Sequence, residues 1–210
     1  PYGMYLADNK DGSYALDVIY NKDVMNICTR VYMDSLVNLQ EFRKYQLLAG
    51  KNIVFSGYSK MDYFYKKHNY VPENISQLWS GRLEGVNCKR VIIAPHYSVG
   101  VQEDSGLIAY ATFDKNYAFW PELIKEYEGK VTFLFKPHPN LAKNCVLSGL
   151  FDSYESYDRY IDELESMPNC HVVCEGSYLE YFDTSDAMIM DSGSFIGEYI
   201  YANRPLLYLT

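Results

Sequence analysis

Positive charge is scarce in this 210-residue chain: 19 lysines and arginines stand against 27 aspartates and glutamates, a net charge of −8. Duplex nucleic acid needs a basic surface that displaces its counterions, so it is excluded as a partner of the chain as a whole, though a local phosphate pocket is not. No apolar run approaches the roughly 20 residues that span a bilayer, and no signal peptide is expected. The five cysteines, Cys28, Cys88, Cys145, Cys170 and Cys174, are odd in number and scattered. That spacing argues against a disulfide framework and fits a reducing, cytoplasmic setting. Cys170 and Cys174 lack the second pair that a zinc site would need, so no metal is expected. Internal repeats, low-complexity tracts and an initiating methionine are also missing. The chain opens on Pro1-Tyr2-Gly3 and is expected to be a piece of a longer protein. What is present, 48% hydrophobic and 22% charged residues, is the composition of a globular protein able to bury one large core or two smaller ones.

The most legible stretch runs from Asp186 to Thr210. Ala187–Met190 is a short apolar run between acids, too short for a helix. Asp191-Ser192-Gly193-Ser194 then offers a cap residue, hydroxyls and a glycine where a helix must begin. Phe195, Ile196, Tyr199 and Ile200 recur at helical spacing and predict one buried stripe. Asn203 can close the helix, and Arg204-Pro205 stops it before the apolar residues 206–209. The pattern is strand, turn, helix, strand, and the unpaired N–H groups at such a turn favour anions, phosphates above all. An ordinary helix cap would read the same way, so the other strand ends have to decide.

Upstream, residues 1–13 read as turns and residues 14–20 as an alternating strand. A helix is expected over residues 31–48, ended by Gly50, with a strand at Ile53–Phe55 running into Ser56-Gly57-Tyr58 and a helical start. The texture of residues 68–89 changes to Asn, Gly and Pro, which suggests a linker. The boundary is placed so that residues 1–84 and 85–210 form two domains. Beyond it, strands are expected at residues 90–94, Val131–Phe135, 172–174 and Ala187–Met190. Helices are expected at residues 116–128, with Phe119, Trp120, Leu123, Ile124 and Tyr127 on one face, and at Tyr154–Ser166. A capping box is expected at Ser177-Tyr178-Leu179-Glu180. Continuously apolar strands alternating with helices predict an α/β fold with parallel, doubly wound sheets.

In open α/β sheets ligands bind beyond the carboxyl ends of the strands. His96 follows the strand at 90–94, Lys136 and His138 follow Val131–Phe135, and Asp191 to Ser194 follow Ala187–Met190. Two of the four histidines thus fall in the zone where the fold predicts chemistry. A protonated His138, pinned between Pro137 and Pro139, with Lys136 beside it, could neutralise a diphosphate or protonate a departing phosphate. The plainer reading of His138 and His96 is a loop histidine bonded to a carbonyl. Ser192, Gly193 and Ser194 would hold phosphate oxygens, Asp191 would cap the helix or hold the turn, and Glu198 could accept ribose hydroxyls or be merely solvated. His68, His171 and the Lys66-Lys67 pair read as structural or surface residues. The 22 tyrosines read chiefly as core and rim.

Phe135-Lys136-Pro137-His138-Pro139, followed by Ser185-Asp186-Ala187-Met188-Ile189-Met190-Asp191-Ser192-Gly193-Ser194 and then Asn203-Arg204-Pro205, resembles the CDP-glycerol glycerophosphotransferase family. Pro1-Tyr2-Gly3, Ser56-Gly57-Tyr58 with Asp62, and Ile93-Ala94-Pro95 resemble further family segments. Members are teichoic-acid and capsule polymerases and primases. The resemblance implies a GT-B-like architecture. Residues 1–84 would be part of an acceptor-side Rossmann-like domain, and 85–210 a Rossmann-like nucleotide-diphosphate-binding domain. It also implies a transferase moving glycerol phosphate or a similar polyol phosphate from a CDP-alcohol to a hydroxyl of a cell-surface polymer or its lipid-linked precursor. His138 and His96 would be catalytic, and Lys136, Ser192, Gly193, Ser194 and Glu198 would bind substrate. No metal or separate cofactor is implied. The partners implied are a nucleotide-activated polyol or sugar donor and a glycan or lipid-linked acceptor, met at the inner face of the membrane through parts outside this chain. The sequence departs from the family in two places. Ser192 replaces an aromatic and Gly193 a serine of the family turn. No His-Gly pair occurs, so the general base is absent or lies upstream of Pro1. A GT-B glycosyltransferase using a UDP- or GDP-sugar, and a catalytically silent nucleotide-binding or scaffold module, are the rival readings.

Overall fold

The computed structural model describes residues 20–66, 75–80, 88–100, 111–191 and 193–210, with Lys66, Gly193 and Ser194 described through the backbone alone. Two compact units divide the chain, residues 1–69 and 70–210. The division falls upstream of the boundary expected at 84/85, because α4 (Ile75–Leu78) leads into Trp79, whose indole N–H donates to Thr184 Oγ1 at 3.0 Å within the second unit.

In the first unit, α1 (Asp23–Ile27) precedes β1 (Val31–Met33), which pairs in parallel with β2 (Ile53–Phe55). Between them lies α2 (Leu36–Tyr45), and β2 leads through a 3-10 turn into α3 (Asp62–Lys66). The helix expected over residues 31–48 is therefore shorter than its apolar spacing suggested. Val31, Tyr32 and Met33 are β-branched, aromatic and long side chains that suit a strand. The helix begins only after Ser35, whose hydroxyl accepts the Asn38 N–H. It stops at Gln46, whose backbone turns extended while its N–H still donates to Phe42 O, and whose side-chain amide donates to the Met25 carbonyl at 2.7 Å. Tyr20, Met25, Met33 and Phe42 form the core. Tyr20 is helical; the remainder of the strand expected at 14–20, like His68, lies outside the described residues.

The second unit is a five-stranded parallel sheet built from β3 (Lys89–Ala94), β4 (Val131–Phe135), β5 (Cys170–Val172), β6 (Ala187–Met190) and β7 (Leu206–Tyr208), in the order β5-β4-β3-β6-β7. The chain starts in the centre, builds outward to β5, then crosses back over β3 to build the other half. This is the mononucleotide-binding order of doubly wound folds. Successive side chains on a strand point to opposite faces. Ile93, Phe133 and Phe135 pack on one face with α5 (Phe113–Asn116), α6 (Phe119–Glu126), α7 (Leu141–Leu147) and α8 (Tyr154–Ser166). Ile92, Leu134 and Met188, all fully buried, point the other way. On that side α9 (Leu179–Thr184) and α10 (Gly193–Tyr199) meet through Phe182 and Tyr199, whose rings cross at 5.2 Å. Each fully buried aliphatic side chain contributes about 1.5–3 kcal/mol, so these strands anchor the unit and fix where their ends emerge.

Several expectations are corrected here. The helix expected at 116–128 is present but shorter, as α6, and α5 precedes it, with the Tyr117 ring between them packed near Phe113, Phe151 and Tyr160. Of the face proposed for it, Trp120 and Ile124 are buried but Phe119 and Tyr127 lie outside. β5 begins at Cys170 rather than at 172, since Phe133 takes its N–H to Asn169 O and sets the register earlier. Ser177 makes no capping box; α9 starts after Tyr178, which has no side-chain cap bond. The box instead forms at α8, where Ser153 and Ser156 cap one another reciprocally. Ile200 is exposed and leaves the stripe, because the helix tightens into a 3-10 turn there. Asn203 closes that turn in the left-handed region, φ 52°, as its short polar side chain permits.

Candidate active site

The ends of β3, β4 and β6 adjoin where the strand order reverses, and one carboxylate ties two of them. Asp191, the first residue beyond β6, is buried. It accepts the His96 N–H at 2.7 Å from the loop after β3, and the Thr112 N–H at 2.7 Å and hydroxyl at 3.1 Å from the start of α5. A second aspartate clamps the opposite end of the same strand pair: Asp186 accepts the Arg90 N–H at 2.8 Å. β3 and β6 are thus fastened at both ends, which fixes where the loops beyond them emerge and where a crevice would lie in folds of this order.

His96 and His138 meet beside that crevice, their ring centroids 5.2 Å apart, with the Tyr97 ring 4.1 Å from one and 4.5 Å from the other. The loops are held from below. His138 N–H donates to Pro95 O, Lys136 N–H to Ile93 O, and the Asn144 side chain to Tyr97 O at 2.8 Å. His96 is buried, and burial first and His138 second bring its pKa down to about 4. Burial, then the neighbouring Lys136, lower that of His138 as well. The imidazolium form expected of His138 is therefore disfavoured; at neutral pH both rings are neutral in the unliganded site.

Lys136 is buried at the end of β4. Its ammonium donates to Val173 O at 3.4 Å and lies 5.6 Å from the centre of the Tyr178 ring. The Tyr178 hydroxyl in turn donates to the buried Glu198 carboxylate, which is where a ribose hydroxyl was expected to bind. Tyr178 also stacks on Phe182 and Phe195, so it bridges the loop after β5 to α10. The backbone of Gly193 and Ser194 begins α10, two residues beyond Asp191; Ser192 lies outside the described residues. Of the expected site residues, the structure brings His96, His138 and Lys136 to adjoining strand ends, and α10 starts at Gly193, two residues beyond Asp191. Glu198 is turned toward Tyr178, and His171 lies apart, paired with Glu165 at 3.2 Å. Tyr97, Ser98, Thr112 and Tyr178 were not singled out from the sequence. A strand-end position was the only signal available for Tyr97 and Ser98, whereas Thr112 stands at the start of α5.

No known family profile matches the chain, and no curated protein matches it either. Solved structures do. The wall teichoic acid polymerase TagF superposes with a TM-score of 0.57 at 16% identity, over 99% of this chain and 45% of that one. A variant of that polymerase soaked with CDPG superposes with a TM-score of 0.52 over 98% of this chain and 42% of that one, at 16% identity. The Methanocaldococcus jannaschii UDP-GlcNAc 2-epimerase, in complex with UDP-GlcNAc and UDP, superposes with a TM-score of 0.50 at 16% identity, over 88% of this chain and 46% of that one. The chain shares with these enzymes the GT-B-like α/β fold expected from its sequence, and it spans less than half the length of each.

Proposed function

We propose that this chain is the nucleotide-diphosphate-binding part of a transferase that moves a polyol phosphate from a CDP-alcohol to a hydroxyl of a surface polymer or its lipid-linked precursor. One observation carries the reading: His96, His138 and Lys136 gather at the carboxyl ends of β3 and β4, beside the bend that follows β6, where the strand order reverses. In folds of this order that crevice receives nucleotide phosphates. Lys136 supplies fixed positive charge, the imidazoles supply N–H donors, and the amides of residues 192–194 supply further donors. In the reaction the acceptor hydroxyl forms a bond to the β-phosphorus as the bond to the CMP oxygen breaks. CMP departs, and the hydroxyl proton goes to a base. The likeness to TagF and to its CDPG-soaked variant supports a cytidine donor.

A second reading, a GT-B enzyme acting on a UDP- or GDP-sugar, draws its support from the likeness to the UDP-GlcNAc epimerase. Calorimetry with CDP, UDP and GDP separates the two: tighter binding of CDP is expected, and a uridine preference would retire the CDP-alcohol reading. Under either, His138→Ala and Ser194→Ala each weaken diphosphate binding by about 1.5–3 kcal/mol, the usual worth of hydrogen bonds to charged groups. Unchanged affinity in both variants would remove the site from consideration. Turnover with donor and acceptor, measured on a longer form of the protein, separates an enzyme from a silent binding module.

A further inference from the structure

The same local device occurs twice in the crevice. Pro95-His96-Tyr97-Ser98 follows β3, and Pro137-His138-Pro139-Asn140 follows its neighbour β4. In each, the histidine folds back so that its Nδ1 accepts the backbone N–H two residues on: Ser98 N–H to His96 at 3.3 Å, Asn140 N–H to His138 at 3.1 Å. A backbone amide can only donate, so neither Nδ1 carries a proton, and each neutral ring must carry its proton on Nε2. At His96 the device is reinforced. Ser98 Oγ lies 3.0 Å from Nδ1 and accepts the Ala111 N–H at 3.3 Å, which leaves its own proton for the imidazole.

We infer that the paired proline-histidine turns lock His96 and His138 as neutral Nε2–H imidazoles, so that they meet an anionic ligand as hydrogen-bond donors rather than as cations or bases. Ser98 and Asn140 are then positioning residues acting through their amides. This role rests on reading the crevice as a nucleotide-diphosphate site, where Lys136 supplies the charge. The surroundings agree. His138, Tyr97 and Asp191 lie about His96, and the Asp191 carboxylate is committed to the His96 N–H and to Thr112. Lys136, His96 and Tyr97 lie about His138. A second proton on either ring would place a donor at Nδ1 against an amide donor, beside another histidine or a lysine.

Long-range proton–nitrogen NMR on the chain labelled with ¹⁵N-histidine reads the tautomers directly, with His96→Gln and His138→Gln assigning the signals. At pH 7 both rings are expected with bare Nδ1 and protonated Nε2. An Nδ1–H tautomer or an imidazolium at either position overturns the inference. Asn140→Pro deletes the amide that donates to His138 Nδ1 and is expected to raise its titration midpoint, with the lowering by burial and Lys136 left in place. An unmoved midpoint in a folded variant would show that the amide does not hold the ring. Adding CDP at pH 7 is expected to shift the Nε2–H resonances without adding a proton to either ring; a ring that gains one overturns the donor role. Failure of CDP to bind counts against the nucleotide reading, and the tautomers of the unliganded chain are judged separately.

Discussion

His96 sits buried with its Nδ1 committed to Ser98, so its protonation and the fold oppose one another. Its pKa is held down to about 4, below that of an unfolded histidine. An unfolded chain therefore binds a proton that the folded chain does not, and stability is full above about pH 6.5 and is lost as the pH falls toward 4. The loss amounts to about 3 kcal/mol across that range. Urea unfolding of the unit formed by residues 70–210 at pH 7 and pH 5 is expected to show a larger drop in the native protein than in His96→Gln. Equal drops would mean that another group carries the acid sensitivity. Asp191 makes a second prediction at this scale. Asp191→Asn turns part of an acceptor-only group into a donor facing the N–H groups of His96 and Thr112, and is expected to cost about 1–3 kcal/mol. Denaturant midpoints with an unchanged slope would check it.

Elements matter here through what their ends carry. The loop after β3 passes so near the end of α7 that a Cβ added to Gly100 would lie 2.4 Å from Ser148 Cβ, and Gly100 has φ +77°, a region side chains avoid. Gly100→Ala is expected to lower the melting temperature and to disturb the His96 loop. Ser148→Gly in the same chain should restore only part of the loss, because the backbone strain remains. At α8, Ser153→Ala removes one half of a reciprocal cap and is expected to cost about 1 kcal/mol without altering nucleotide affinity. A change in affinity would show that α8 influences the crevice, which it helps to support only through the core.

Among the described residues, one hydrophobic core lies around Phe42 in the first unit and another around Leu164 in the second. Separate cores are expected to melt separately. Phe42→Ala should lower one calorimetric transition and Leu164→Ala the other, by about 2–5 kcal/mol each. A single transition displaced by both would mean that the units unfold as one.

The second unit was legible in outline because its inner strands β3, β4 and β6 are apolar and largely buried and its helix at 154–166 is strictly periodic; those patterns arise from local chemistry. Val131–Phe135, Ala187–Met190 and Tyr154–Ser166 coincide with their sequence expectations for that reason. The first unit was misread at residues 31–48, where an apolar spacing that suits a helix runs through Ser35, a cap that only the folded backbone selects. At the site, the strand-end positions of His96, Lys136, His138 and the 191–194 turn follow from the alternation of strand and helix alone. Hydrogen bonds between loops far apart in the chain set everything else there. Asp191 reaches the loop after β3, Tyr178 occupies Glu198, and the His96 ring lies against the His138 ring. Burial among those partners, which no local pattern records, makes both imidazoles neutral. The sequence determined which residues arrive at the crevice; tertiary packing decided their charge, their proton positions and their partners.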